Sequence, residues 1–228
     1  YSGDTYNGGS GTDTIESTPG WTDSVVFDML NGDVVFGAST LFTFSSIENL
    51  DLNGGAEVIG NGSNNEILID SSGSQDDNDV SGGGGNDTIS TGDGFDNIEG
   101  GSGDDLILIE DDLDDSTVDG NGGTDTLDLS GSGGGWTLDA AGNADANDNN
   151  TTVEFQRIEE LVGSDFADTV AKGDLEDVDL LDGNDTLTAS NDGSSATLSG
   201  GGGTDTLDLS GASAGFTFDG SNMATSGA

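Results

Sequence analysis

Residues 82 to 108 read GGGGNDTIS (82–90), TGDGFDNIE (91–99) and GGSGDDLIL (100–108), three consecutive nonapeptides with Gly at the fourth place, Asp at the sixth and Ile at the eighth. Asp87, Asp96 and Asp105 are nine residues apart, and so are Ile89, Ile98 and Ile107. A fixed period of this kind marks a stacked architecture, in which no unit buries its own apolar face and each relies on its neighbours. The glycines at places one, two and four permit positive φ and close backbone approach, so six residues can turn tightly with carbonyls to one side. Places seven to nine then form a short strand, whose alternation aims the eighth side chain inward and its neighbours outward.

The register extends in both directions from this run. Toward the N-terminus it passes a degenerate pair with Val58 and Ile67 at the apolar place and reaches GGSGTDTIE (8–16), preceded by Asp4 and Tyr6. Toward the C-terminus the next apolar positions are Val118 and Leu127, at steps of eleven and nine, the second within GNGGTDTLD (120–128). GSDFADTVA (163–171) and LLDGNDTLT (180–188) follow, then Leu198 and Leu207, again at steps of eleven and nine, with GGGGTDTLD at 200–208. The octapeptide TDTLDLSG occurs at 124–131 and again at 204–211, so a whole block recurs after 80 residues.

Between the repeats lie inserts that are themselves related. Two of them carry Gly-Trp-Thr near their start (Trp21, Trp136) and close on Ile-Glu-x-Leu at 47–50 and 158–161; a third starts with AGFTFDG after Gly211. The chain therefore divides into the end of a repeat block (1–19), a β-rich insert (20–50), a long repeat block (51–130), a second insert (131–162), a further repeat block (163–211) and the start of a third insert (212–228). It reads as a segment of a longer array. In the first insert VVFDML and DVVF flank Asn31-Gly32, a strong hairpin signal. Bulky apolar residues gather in the inserts (Trp21, Phe27, Phe36, Phe42, Phe44, Trp136, Phe155), and we expect them to cap or widen the core locally.

Composition narrows the chemistry. The 228 residues are only 30% hydrophobic and include 41 Gly, which is poor material for a thick-cored globule. Forty-six acids against two bases, Arg157 and Lys172, give a formal charge of −44, a self-repulsion that cations must offset. Nucleic acid and anionic membrane surfaces are excluded as partners, and the apolar runs are too short to insert into a bilayer. With no Cys and no His there is no disulfide, thiolate or imidazole metal site, and no Ser-His or Cys-His catalysis. Oxygen-loving cations remain. Low hydrophobicity with high charge would otherwise spell disorder; the strict period argues against it.

Each nonapeptide resembles the calcium-binding repeat G-G-x-G-x-D-x-U-x (U, a large apolar residue) of the repeats-in-toxin (RTX), or hemolysin-type calcium-binding, proteins. The matches at 8–16, 82–108, 120–128, 180–188 and 200–208 carry the resemblance. It implies an all-β fold, a right-handed parallel β-roll or β-solenoid with two nonapeptides per coil and β-hairpin-like inserts. It also implies multiple Ca2+ ions along both edges, and export from a bacterium by a one-step (type I) secretion machine, with folding triggered by extracellular calcium. Carried over residue by residue, the expected ligands are the sixth-place acids Asp87, Asp96, Asp105, Asp125, Asp185 and Asp205, then Asp13, then Asp4 and Asp168. The turn glycines Gly83, Gly85, Gly101 and Gly103 supply carbonyl oxygens. Asp87 is expected to pair with Asp105, and Asp105 with Asp125, along one edge. Ala56, Asn65 and Asn78 replace the sixth-place acid, so their turns are expected to bind poorly or not at all. Thr91 and Asn121 replace a first and a second Gly, and the turns EDDLDDST (110–117) and TASNDGSSA (188–196) are longer.

An isolated Asp in such a stretch is most simply a turn former bonded to its own backbone. That role has no need of a nine-residue spacing, whereas stacked cation sites do. Stacked carboxylates also repel strongly unless an ion sits between them, so binding and folding are expected to be linked. Two functions fit. One is an extracellular or surface-exposed calcium-stiffened rod, part of a surface layer, filament or adhesin, with scope for self-association. The other is a secretion and folding module attached to a secreted hydrolase or toxin. No enzyme site is expected: no pair of carboxylates stands out as a glycosidase pair among so many. An ice-binding threonine file is absent, since the equivalents of Thr88 are Asn97 and Leu106.

Overall fold

The eighth-place residues are strand partners, as the period requires. Ile89 pairs with Ile67 on one side and Ile107 on the other, and Ile107 with Leu127. Ile98 lies between Val80 and Val118 in the same way. The computed structural model describes residues 4–17, 25–36, 39–70, 77–109, 115–147, 152–189 and 196–211; the side chains of Asp4 and Phe42 fall outside the description. The described residues contain strands and no helix.

Successive strands alternate between two sheets. Glu66–Asp70, Thr88–Ser90, Leu106–Leu108 and Thr126–Asp128 belong to a nine-stranded sheet, and Asp79–Gly84, Asn97–Ser102 and Ser116–Gly122, which lie between them in sequence, to a fourteen-stranded one. All these neighbours are parallel and in register. The eleven-residue steps leave that register intact, because Val118 still meets Ile98 and Leu198 still meets Val178. Residues 110–114 and 190–195, which fall within these two steps, lie outside the described residues.

The core lies between the sheets. Val80, Ile98 and Val118 from one and Ile67, Ile89, Ile107 and Leu127 from the other are at most 1% exposed and belong to a single apolar cluster. Burying each such side chain stabilises the fold by about 1.5–3 kcal/mol. The strand segments Thr88–Ser90, Leu106–Leu108 and Thr126–Asp128 each bury only their central residue, so the apolar fraction suffices because the core is one side chain thick on each face.

Both inserts enter the fourteen-stranded sheet as three-strand meanders. In the first, Ser39–Ser45 runs parallel to Asp4–Asn7, Asp33–Phe36 runs antiparallel, and Val25–Asp28 returns to pair parallel with Glu57–Ile59. In the second, Thr152–Gln156, Asn143–Ala146 and Trp136–Leu138 repeat the arrangement between Ser116–Gly122 and Thr169–Ala171. The expected hairpin is present. Its loop is the four residues Met29–Gly32 rather than Asn31-Gly32 alone, because pairing ends at Asp28↔Asp33 and the Asp28 carboxylate accepts from the backbone N and the Nδ2 of Asn31 at 2.8 and 2.6 Å. Phe27, Phe44 and Trp136 fill the core here, while Phe36 is 50% exposed; Trp21, the third insert at 212–228 and the side chain of Phe42 lie outside the described residues.

Candidate metal centre

The sixth-place side chains form a ladder up each edge. For Asp87, Asp96, Asp105, Asp125, Asp185 and Asp205 one carboxylate oxygen accepts the backbone N–H of the sixth-place residue one coil earlier. Asp87 Oδ1 accepts from Asn65 at 2.7 Å, Asp105 Oδ1 from Asp87 at 2.7 Å and Asp125 Oδ1 from Asp105 at 2.8 Å. On the other edge Asp96 Oδ1 accepts from Asn78 at 2.8 Å, and near the C-terminal end Asp185 Oδ1 accepts from Asp168 at 2.8 Å and Asp205 Oδ1 from Asp185 at 3.2 Å. Asp87, Asp105 and Asp125 are thus neighbours in the order expected, joined by side chain to backbone.

The second oxygen has no such use. Oδ2 of Asp13, Asp87, Asp96, Asp105, Asp125 and Asp185 is buried and makes no hydrogen bond. Its surroundings follow from the first-place glycine of the same repeat. A Cβ built on Gly82 would lie 2.5 Å from Asp87 Oδ2 and 2.4 Å from the carbonyl oxygen of Gly100 in the next coil. On Gly100 it would meet Asp105 Oδ2 at 2.6 Å and Gly120 O at 3.0 Å, and on Gly120, Asp125 Oδ2 at 2.5 Å and Arg157 O at 2.1 Å. Two acceptors, a carboxylate oxygen and a backbone carbonyl, are brought to one spot at three successive levels. The first glycine is required for room, not for its φ. Positive φ falls instead on the second place (Gly83, Gly101, Asn121 at 67°) and the fourth (Gly85, Gly103). Thr91 stands at the first place of its own repeat and is buried there.

Asn78 shows what this position demands. Its Oδ1 accepts from Ala56 N at 3.0 Å, and its Nδ2 donates to the first-place carbonyl of the next coil, Thr91 O, at 3.2 Å. Where Asn supplies a donor toward that carbonyl, Asp presents another acceptor. Burial accordingly raises the carboxyl of Asp87 to about 7 and those of Asp96, Asp125 and Asp185 to about 6, and raises Asp105 and Asp168 as well. For Asp87, Asp125 and Asp185 charges of neighbouring rungs add to the rise. Something electropositive, a proton or a cation, is needed at each Oδ2.

The donor set suits a hard cation with several oxygen ligands, of the carbonyl and carboxylate kind that calcium takes. No three acidic side chains converge among the described residues, so any such site is built mainly from backbone carbonyls with the sixth-place carboxylate. The expected ligands are not equivalent. Asp168 has both oxygens engaged, Oδ1 by Trp136 N at 2.7 Å and Ser164 Oγ at 2.9 Å, and Oδ2 by Ser164 N at 2.8 Å. Asp205 is half-buried, and the side chain of Asp4 lies outside the described residues.

Several rungs carry no sixth-place Asp and were not evident from the repeat. Ser116 Oγ accepts from Asp96 N at 2.9 Å. The Glu of each closing Ile-Glu-x-Leu is a rung of longer reach: Glu48 Oε2 accepts from Asp13 N, and Glu159 Oε2 from Asp125 N, both at 3.0 Å. Positive φ at Ser46 (54°) and Arg157 (53°), two residues before each Glu, marks the two turns as equivalent. The recurrence of the motif was the available signal. Comparison with protein-family models and with curated proteins finds no match to this chain.

Proposed function

We propose that this chain is a calcium-binding extracellular repeat protein of structural or adhesive kind, a right-handed parallel β-roll that folds and stiffens as Ca2+ is taken up between stacked turns. The observation that carries the reading is the series of buried, unbonded Oδ2 atoms on Asp13, Asp87, Asp96, Asp105, Asp125 and Asp185, the last five in ladder rungs whose other oxygen is already committed. Calcium is favoured over magnesium because carbonyl-rich, irregular cages suit its larger and more flexible shell, while magnesium keeps its waters. The −44 charge points the same way: the unliganded chain repels itself, and bound divalent ions offset that repulsion where it is densest. A structural or adhesive role, rather than catalysis, fits a chain whose described repeats and first two inserts extend the same sheets. Secretion to a calcium-rich exterior accounts for folding that waits for the ion.

The test is circular dichroism with bound-ion counting. Chelated protein at pH 7.5, a pH chosen to lie above the raised carboxyl values, should lose its β-sheet signal and recover it on adding calcium but not equimolar magnesium. A spectrum indifferent to chelator, or a folded protein that binds no calcium, sinks the reading.

A further inference from the structure

Beside the sixth-place ladder runs a second one, built from fifth-place residues and pointing the other way. Asn64 Oδ1 accepts from Asn86 N at 2.9 Å, Asn86 Oδ1 from Asp104 N at 3.1 Å and Asp104 Oδ1 from Thr124 N at 2.9 Å. The same bond recurs between Asn184 Oδ1 and Thr204 N at 3.0 Å, and on the opposite edge between Asp77 Oδ1 and Phe95 N at 3.3 Å. The nonapeptide pattern leaves the fifth place open, yet Asn or Asp fills it in every acceptor named here.

The two ladders together fix how the turn carbonyls point. In a trans peptide the N–H of one residue and the C=O of the residue before it face opposite ways. Asp104 donates its N–H back to the coil before, so the carbonyl of Gly103 points to the coil after. Asp105 donates its N–H forward to Asp125, so the carbonyl of Asp104 points back. The glycine contacts agree: a Cβ on Gly103 would lie 1.9 Å from Gly85 O, on Gly123 1.8 Å from Gly103 O, and on Gly203 1.5 Å from Gly183 O. Fourth-place carbonyls therefore all lean forward into the gap between turns, and the fifth-place side chain of the preceding coil is what aims them.

We infer that Asn64, Asn86, Asp104 and Asn184 are positioning residues for the cation sites: they act through the fifth-place N–H of the next coil to orient its fourth-place carbonyl, and so couple each site to its neighbour. This rests on the calcium reading above. An acceptor oxygen is what the role needs, not a charge, since Asn and Asp serve alike.

The experiment is a calcium titration of the 228-residue chain followed by circular dichroism, with bound calcium counted by mass spectrometry. Asn86→Ala keeps every carboxylate but frees Asp104 N–H; its titration midpoint should rise severalfold and its slope flatten, while Asn86→Asp stays within about twofold of the parent. Thr124→Ala, whose side chain makes no hydrogen bond among the described residues, should change nothing. If Asn86→Ala does not fold at any calcium concentration, Asp104→Asn decides: it retains the acceptor for Thr124 N–H and should titrate as the parent does. An Asn86→Ala curve matching the parent in midpoint and slope overturns the inference, as does an Asp104→Asn curve as damaged as that of Asp104→Ala. A parent chain that takes up no calcium sinks the calcium reading and this inference with it; a calcium-binding parent with an indifferent Asn86→Ala sinks this one alone.

Discussion

Asp105 divides its carboxylate between two tasks. Oδ1 holds the N–H of Asp87, and the buried Oδ2 shares with the carbonyl oxygen of Gly120 the space where a side chain on Gly100 would start. The tasks separate by substitution. Asp105→Asn keeps the acceptor and offers an amide where Oδ2 was, reproducing the arrangement of Asn78, and should preserve the stack while lowering bound calcium. Asp105→Ala also leaves a buried N–H without a partner, which costs about 1–3 kcal/mol, and its turn lies between two others on the same edge. Calorimetric titration should show fewer ions bound in both variants and a lower melting temperature for Ala; unchanged stoichiometry in either would contradict the assignment. The sixth-place residues were legible in the sequence because a strict nine-residue spacing is visible in one dimension. Their hydrogen bonds were not, because Oδ1 bonds a residue 18 to 22 positions away, a separation set by where turns happen to stack.

At the scale of elements, the hairpin signal at Asn31-Gly32 and the apolar clusters in the inserts were readable, but the docking of the inserts was not. Nothing in STLFTFS announces that it runs parallel to Asp4–Asn7 while Val25–Asp28 pairs with Glu57–Ile59. What makes the meander possible is the return to the ladder at its end. After three strands the chain must re-enter the nine-stranded sheet one coil on, and the first residue able to continue the rungs is the Glu of Ile-Glu-x-Leu. Glu159 reaches Asp125 N with its Oε2, and its own N–H and that of Glu160 both bond Asp125 O, at 3.1 and 2.9 Å. Glu48, Asn49 and Asp13 make the same set. Glu159→Gln retains the acceptor and should melt near the parent. Glu159→Ala orphans the fully buried Asp125 and should lose about 1–3 kcal/mol, read as a fall in the midpoint of urea unfolding in saturating calcium. Equal midpoints for Ala and Gln would mean that Glu159 is not a rung.

For the molecule as a whole the same buried carboxylates set how stability depends on pH, and the sign is opposite to that of ordinary salt-bridged acids. Burial, the largest cause throughout, raises Asp87 to about 7 and Asp96, Asp125 and Asp185 to about 6, from 3.8. Each group holds its proton more tightly in the folded chain than in the unfolded one. Without metal, its stabilising contribution is therefore complete below the unfolded value and is lost as pH rises through 6 to 7. The structural reason is visible at Asn78: a protonated Oδ2 is a donor, and it can face the first-place carbonyl as the Asn amide does. On the calcium proposal, proton and calcium compete for one position. In chelator the β-sheet signal should persist at about pH 5 and disappear between about pH 6 and 8, while calcium-saturated protein keeps it across that range. Apparent calcium affinity should weaken as pH falls through the same window, because each ion must displace protons. A chelated protein more ordered at pH 8 than at pH 5 would reverse the sign, and a flat profile would remove the ladder carboxylates from the energetics of folding.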